Sequence, residues 1–365
     1  MSNRKSNGEL LRILSSLGVI TCHFCGTCGP IEINERRIPD MKTKFLLFTH
    51  GYAYPLTNCF TLISGYYRIK FSLKGLLNYY LTLLSYRFIG NILCWYMTGQ
   101  LWDKTWETFF CVLTFNNNLW FVQVYFCLYL FSPVINAGFS KLKKSEQIMV
   151  LISVGMMSMY FFYYRNIDRM MGRDYVEVLF MYLIGMFIRK WEIDSYFKNT
   201  RWLSFCVYVL AGVLWARQAI SIHAMQKPGY KMFSINGPFN ILTAISFFCF
   251  VMSFDFKSNV INALAPGCFS AYIFQESSYS GRKFVHEKLR DYVKNTIKYP
   301  PDTVAAGATT SFVIVCASVL FVLSVLLFDF IRRKILDIVL KPIYIVADKL
   351  QRKLFGDPEH EKALP

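Results

Sequence analysis

ELLRILSSLGVITCHFCGTCGP, Glu9 to Pro30, admits two readings. Cys22, Cys25 and Cys28 stand at two-residue gaps around His23 and reproduce the first three ligands of an iron–sulfur run. After Cys28 come Gly29 and Pro30, the next cysteine is Cys59, and no histidine or cysteine returns at zinc-finger spacing. On a helix turning 100° per residue, Cys25 lies about 60° from Cys22 and Cys28 about 60° further on. The three therefore smear across a face instead of converging. The same stretch is apolar over a length that crosses a hydrocarbon core of about 30 Å. It reads as a membrane helix, with no metal site expected.

The rest of the chain agrees. Of its residues, 54% are hydrophobic, 18% aromatic and only 17% charged, whereas soluble domains carry about 25% charge. Apolar blocks of membrane-crossing length recur, at roughly 10–28, 45–67, 76–98, 118–138, 147–164, 175–189, 201–221, 234–253, 261–277 and 307–331. This predicts an all-α integral membrane protein, a bundle of about ten transmembrane helices with both termini cytoplasmic. Barrel strands would be short and alternating. Residues 1–335 form the polytopic domain, and 336–365 a cytoplasmic amphipathic, basic tail in contact with membrane lipids. Within Ser280–Asn295, mixed charges and helix formers suggest an amphipathic surface helix.

The net charge of +17 does not point to nucleic acid, because the bases form no single patch. They sit beside apolar blocks, at Arg68–Lys70, Lys141–Lys144, Arg189–Lys190 and Arg332–Lys334, as at the cytoplasmic ends of spanning helices. The cysteines are scattered through apolar blocks and form no disulfide framework. No Asn-x-Ser/Thr sequon occurs, which fits a bacterial cell membrane.

Ionisable residues inside spans are expensive and are functional candidates by default. Eleven steps separate Arg12 from His23, which brings both within about 20° of one face and about 16 Å apart along the axis. Ser16 and Val19 lie on the stripe between them, and Glu9 one turn before Arg12. Arg12 could instead snorkel to the surface while His23 satisfies a neighbouring helix, and this helix alone leaves both readings open. Ser64–Gly65 allows close approach of a helix or a ligand. Trp120 and Pro133 have ordinary readings as an interface aromatic and a kink, whereas Gln123 is polar a few residues into a span. Asp329, with Arg332 and Arg333 one turn on, reads as a helix-end ion pair.

Glu9, Arg12 and His23 in ELLRILSSLGVITCHF, followed by FTLISGYYRIK, NNNLWFVQVYFCLYLFSPVIN and SFFCFVMSFDFKSNVINALAPGCFSAYIFQES, resemble the acyltransferase-three family of integral membrane acyltransferases. The resemblance runs in order over about residues 7 to 330. It implies transfer of an acyl group, commonly acetyl, from cytoplasmic acyl-CoA to a hydroxyl of a surface polysaccharide or lipid-linked sugar. Acetyl-CoA enters as a substrate, with no bound cofactor. His23 matches the family's catalytic histidine, Arg12 its paired arginine and Glu9 the acidic position before it. Ser64 and Gly65 match its SG turn, and Trp120 the aromatic of its fourth span. Ser16, Gln123 and Gln275 join these as candidate substrate contacts. Where the family often has histidine this chain has Gln275, which can hydrogen-bond but cannot exchange a proton. Glu276 beside it offers a carboxylate. A transporter or flippase for a lipid-linked sugar would also hold Arg and His between helices; inverted repeats would mark it, and none is found.

Overall fold

The computed structural model describes residues 5–29, 39–99, 119–164, 173–224, 235–277 and 285–355, and among these every regular element is a helix. From the N-terminus they are α1 (Asn7–Cys28), α2 (Met41–Ala53), α3 (Leu56–Tyr67) and α4 (Leu73–Thr98). Next come α5 (Trp120–Lys141), α6 (Lys144–Tyr164), α7 (Tyr175–Lys190) and the short α8 (Ile193–Asn199). Then follow α9 (Arg201–Ala224), α10 (Pro238–Met252), α11 (Asn259–Leu264) and α12 (Cys268–Ser277). The last three are α13 (His286–Thr296), α14 (Val304–Val339) and α15 (Lys341–Phe355).

Many starts are capped as the sequence invites. Asp40, Ser72, Asp174, Ser258 and Thr303 each accept a backbone N–H from the first turn of the helix that follows.

Among the described residues, four helices are long and apolar enough to cross a membrane: α1, α5, α9 and α14. Outward side chains on these and on α6 are Phe131, Val134, Met149, Ile152, Met156, Leu203, Phe312 and Leu320, all more than half exposed. An apolar surface of that extent is the mark of a hydrocarbon solvent. The helix α1 is the interior one, with 56% of its apolar window buried against 28% for each of the other three. It packs against α2, α3, α10, α12, α13 and α14, so whatever it carries faces the middle of the bundle.

Two apolar runs that read as single spans are broken. The run 45–67 divides into α2 and α3 at Tyr54–Pro55, where proline lacks an amide donor and crowds the carbonyl four residues back. The run 261–277 divides at a 3₁₀ turn, Ala265–Gly267, between α11 and α12. A half-helix thus begins inside the bundle, and its end carries Gln275 and Glu276.

The expected surface helix is α13, with Val293 buried and most of its charged side chains exposed; residues 280–284 of that segment lie outside the described ones. In the tail, α15 sets Tyr344 beneath the Lys74 ammonium, 5.1 Å from the ring centroid. The Gln351 Oε1 accepts from the Leu73 amide at 2.9 Å.

Asp329 is not at a helix end. It is fully buried, and accepts from Tyr86 at 2.9 Å, Ser270 at 2.7 Å, Arg332 Nε at 2.9 Å and Arg333 Nε at 2.7 Å. It therefore ties α14 to α4 and α12.

Gly65 serves packing. A Cβ there would strike the Tyr182 carbonyl of α7, and a Cβ on Gly185 would strike the Leu62 carbonyl of α3. The two helices touch backbone to backbone through a reciprocal pair of glycines. Gly65→Val should lower the thermal midpoint of detergent-solubilised protein, at a cost of about 1–3 kcal/mol or more. Gly138→Ala, whose Cβ meets nothing within 4 Å, should stay within about 0.5 kcal/mol of the parent. Equal midpoints for the two variants would show that the α3–α7 contact is not tight.

Candidate active site

A cavity of about 680 Å³ follows α1, lined along that helix by Arg12, Val19, Cys22, His23, Gly26 and Thr27. The fifteen steps from Arg12 to Thr27 correspond to about 22 Å at about 1.5 Å per step, most of the thickness of a hydrocarbon core. Of the predicted stripe, Arg12, Val19 and His23 stand along the same space. Ser64, Trp120, Tyr125 and Tyr272 complete much of the opposite wall.

At the Arg12 end, its guanidinium Nη1 reaches both carboxylate oxygens of Glu9 at 3.0 Å. Glu9 is nearly fully buried while the Arg12 side chain keeps about a quarter of its surface open. The carboxylate holds the guanidinium from behind and leaves its other donors toward the cavity. Further cations gather at this end of the bundle. Tyr67, beside Arg68, packs on Gly8. Arg189 donates to the Tyr66 hydroxyl at 3.1 Å and lies 5.2 Å from its ring centroid. Lys190 donates to the carbonyls of Ser140 and Leu142 at 2.8 Å.

At the other end, His23 Nδ1 lies 2.7 Å from Gln275 Oε1 and 3.2 Å from Glu276 Oε1. Both oxygens are acceptors, so Nδ1 carries the proton. The ring atom then available to a molecule in the cavity is Nε2, with a basic lone pair. Gln275 Nε2 lies 2.9 Å from His286 Nε2. His286 Nδ1 meets the Thr27 hydroxyl, which donates to the His23 carbonyl at 3.0 Å. Around this corner stand Tyr272, its ring centroid 6.4 Å from that of His23, and Arg173. The Arg173 guanidinium lies 6.0 Å from the Trp120 ring centroid and hydrogen-bonds Tyr54.

Several candidates lie off the cavity. The Ser16 hydroxyl donates to the Cys268 carbonyl at 3.3 Å and joins α1 to α12. Gln123 is buried within α5, and Gln275 is fully buried behind His23. Ser64 does line the cavity, donating to the Phe60 carbonyl at 2.7 Å with the Tyr125 hydroxyl at 3.1 Å.

The three clustered cysteines part company. Cys22 Sγ lies 3.2 Å from His50 Nε2, whereas Cys25 and Cys28 sit in an apolar cluster with Phe24, Leu46 and Leu47. Among the described residues no three His, Cys, Asp or Glu side chains gather as metal ligands.

His286, Thr27 and Arg173 had no signal in the sequence. His286 belongs to a charged helix outside the apolar blocks, and only folding brings α13 against the end of α1. His50 does carry a signal, as an ionisable residue inside the run 45–67, but its surroundings come only from the fold. It is stacked between the Tyr54 and Trp215 rings, at 5.0 and 5.3 Å.

The arrangement is that of an imidazole at one end of a cavity and a guanidinium at the other, inside a membrane bundle. No curated protein and no solved structure matches the chain. The sequence model of the acyltransferase-three family, described as an acyltransferase domain, matches residues 9–328, a range that contains every residue of the cavity wall. The chain belongs to that family, and is a multi-pass membrane acyltransferase.

Proposed function

We propose that the protein transfers an acetyl group from cytoplasmic acetyl-CoA to a hydroxyl of a surface polysaccharide or lipid-linked sugar. It does so in a bacterial inner membrane, with about ten spans and both termini in the cytoplasm. The observation that carries this reading is a cavity shared by Arg12 and His23, about 16 Å apart along one helix. That separation suits a donor with a long flexible arm. The cations gathered at the Arg12 end would receive its phosphates, and the thioester would reach His23.

At His23, Nε2 takes the proton of the acceptor hydroxyl, and the oxygen attacks the thioester carbonyl carbon. The tetrahedral intermediate collapses, the C–S bond breaks, and the departing thiolate recovers the proton from Nε2. Ester and free CoA thiol are the products. Glu276 stabilises the imidazolium formed in between, as a carboxylate does beside a catalytic histidine. Arg12 is too far along the helix to meet the intermediate's oxyanion, so its role is to hold the donor. Arg173 and Tyr54, in the wall by His23, are the donors on hand for the oxyanion. Trp120, Phe121 and Tyr125 offer aromatic faces to a sugar ring.

Two measurements test this. Base-labile acetyl esters on surface polysaccharide, counted by NMR at matched membrane levels, should fall about 10²-fold or more with His23→Ala. Esters unchanged in that strain and in one lacking the protein would favour passage of an unmodified glycan. Arg12→Lys keeps the ion pair with Glu9 but loses the planar fork. In membranes it should raise KM for acetyl-CoA about tenfold, about 1.4 kcal/mol, with kcat within a few-fold. A KM that stays put would remove Arg12 from the donor site.

A further inference from the structure

The hydrogen bonds behind His23 close into a ring whose members come from three elements. His23 and Thr27 belong to α1, Gln275 to α12 and His286 to α13. The three links between side chains could each run in either sense, whereas the link from Thr27 to the His23 carbonyl has only one. Run one way, His23 Nδ1–H donates to Gln275, Gln275 to His286, His286 to Thr27 and Thr27 to the His23 carbonyl. Run the other way, the Gln275 amide is turned over and gives an N–H to His23 Nδ1, and Nε2 carries the proton instead. In that sense His23 has no lone pair for the cavity and cannot act as a base.

Two fixed acceptors set the sense. The Glu276 carboxylate lies 3.2 Å from His23 Nδ1, where a lone pair on that nitrogen would meet an anion. At the far end, the Thr27 hydroxyl donates to a backbone carbonyl at 3.0 Å and so accepts from His286 Nδ1. That leaves His286 Nε2 as an acceptor, which takes the Gln275 N–H at 2.9 Å. The Gln275 amide is then pinned with its oxygen on His23, at 2.7 Å. Gln275 is fully buried, so no water competes for the amide. The ring of His286 is also fixed edge-on against Phe24, centroids 5.5 Å apart.

We propose that His286 is a positioning residue for His23: through Gln275 it selects the tautomer that leaves His23 Nε2 basic. This rests on the reading of His23 as the base. A helix outside the apolar blocks thereby governs a group inside the bundle. The role needs an acceptor of the right reach at position 286, not a titrating ring.

The test uses the full-length protein in membranes, with His23→Ala, His286→Phe and His286→Gln compared for acetyl transfer and thermal midpoint. His286→Phe keeps the ring against Phe24 but has no acceptor, and should lower kcat about 10- to 100-fold, with KM for acetyl-CoA unchanged. His286→Gln presents a carbonyl oxygen to the Gln275 amide and should restore kcat to within a few-fold. The chain has five histidines, so ¹⁵N-histidine spectra can be assigned by single substitution. His23 should show protonated Nδ1 and bare Nε2 in the parent and in His286→Gln, and a mixture of tautomers in His286→Phe.

A wild-type kcat for His286→Phe beside an inactive His23→Ala would overturn the proposal and leave the reading of His23 standing. Equal losses in His286→Phe and His286→Gln would also overturn it: with midpoints unchanged they would assign His286 to proton transfer, and with midpoints lowered to folding alone. Activity retained in His23→Ala would instead sink the reading of His23 as the base.

Discussion

The Asp329 carboxylate is the point on which this bundle depends. A bilayer offers no water to a buried charge, so such a group persists only when it is paired and its lone pairs are filled. Asp329 meets both conditions with two guanidinium groups, a phenol and a serine hydroxyl. The Arg332 guanidinium also lies 5.0 Å from the Tyr86 ring centroid and donates to Ser85 on α4 at 3.0 Å. Arg333 reaches the Ala263 carbonyl of α11 at 2.8 Å. Asp329 and the two arginines it holds on α14 thus locate α4, α11 and α12 together.

The consequence for the site is indirect and large. Ser270, bound to Asp329, lies in the first turn of α12, and Gln275 and Glu276 lie at its end. A half-helix of ten residues that starts at a 3₁₀ turn would be free to rotate unless held at both ends. Asp329 holds its start, and His23 with His286 hold its finish. The break at Ala265–Gly267 is what allows two polar side chains to enter the bundle without a full span passing through that point.

Along α1, charge and polarity are arranged by the same rule. Glu9 neutralises Arg12 from a buried position, Ser16 spends its hydroxyl on a carbonyl, and His23 is paired through Nδ1. Glu9 and Ser16 are spent inside the protein, while Arg12 and His23 are held from behind and face the cavity. That is how a single helix carries a guanidinium and an imidazole through an apolar layer at tolerable cost, and it preorganises both for ligands before any arrive.

Composition and block length were enough to fix the solvent, the helical class and the membrane setting, because hydrocarbon imposes them on any chain so apolar. The 100° period put Arg12 and His23 on one face, and the residues quoted around them carried the family. Local sequence could not show that Pro55 and Ala265–Gly267 divide runs of unbroken hydropathy, since hydropathy averages over the backbone bonds that proline removes. Nor could it show that Gly65 packs against the Tyr182 backbone, or that Asp329 is a hub: both depend on partners far along the chain. The histidine that stands behind Gln275 is the sharpest case. His286 has no spacing relation to His23, and only the packing of α13 on the end of α1 brings the two rings to opposite sides of one amide.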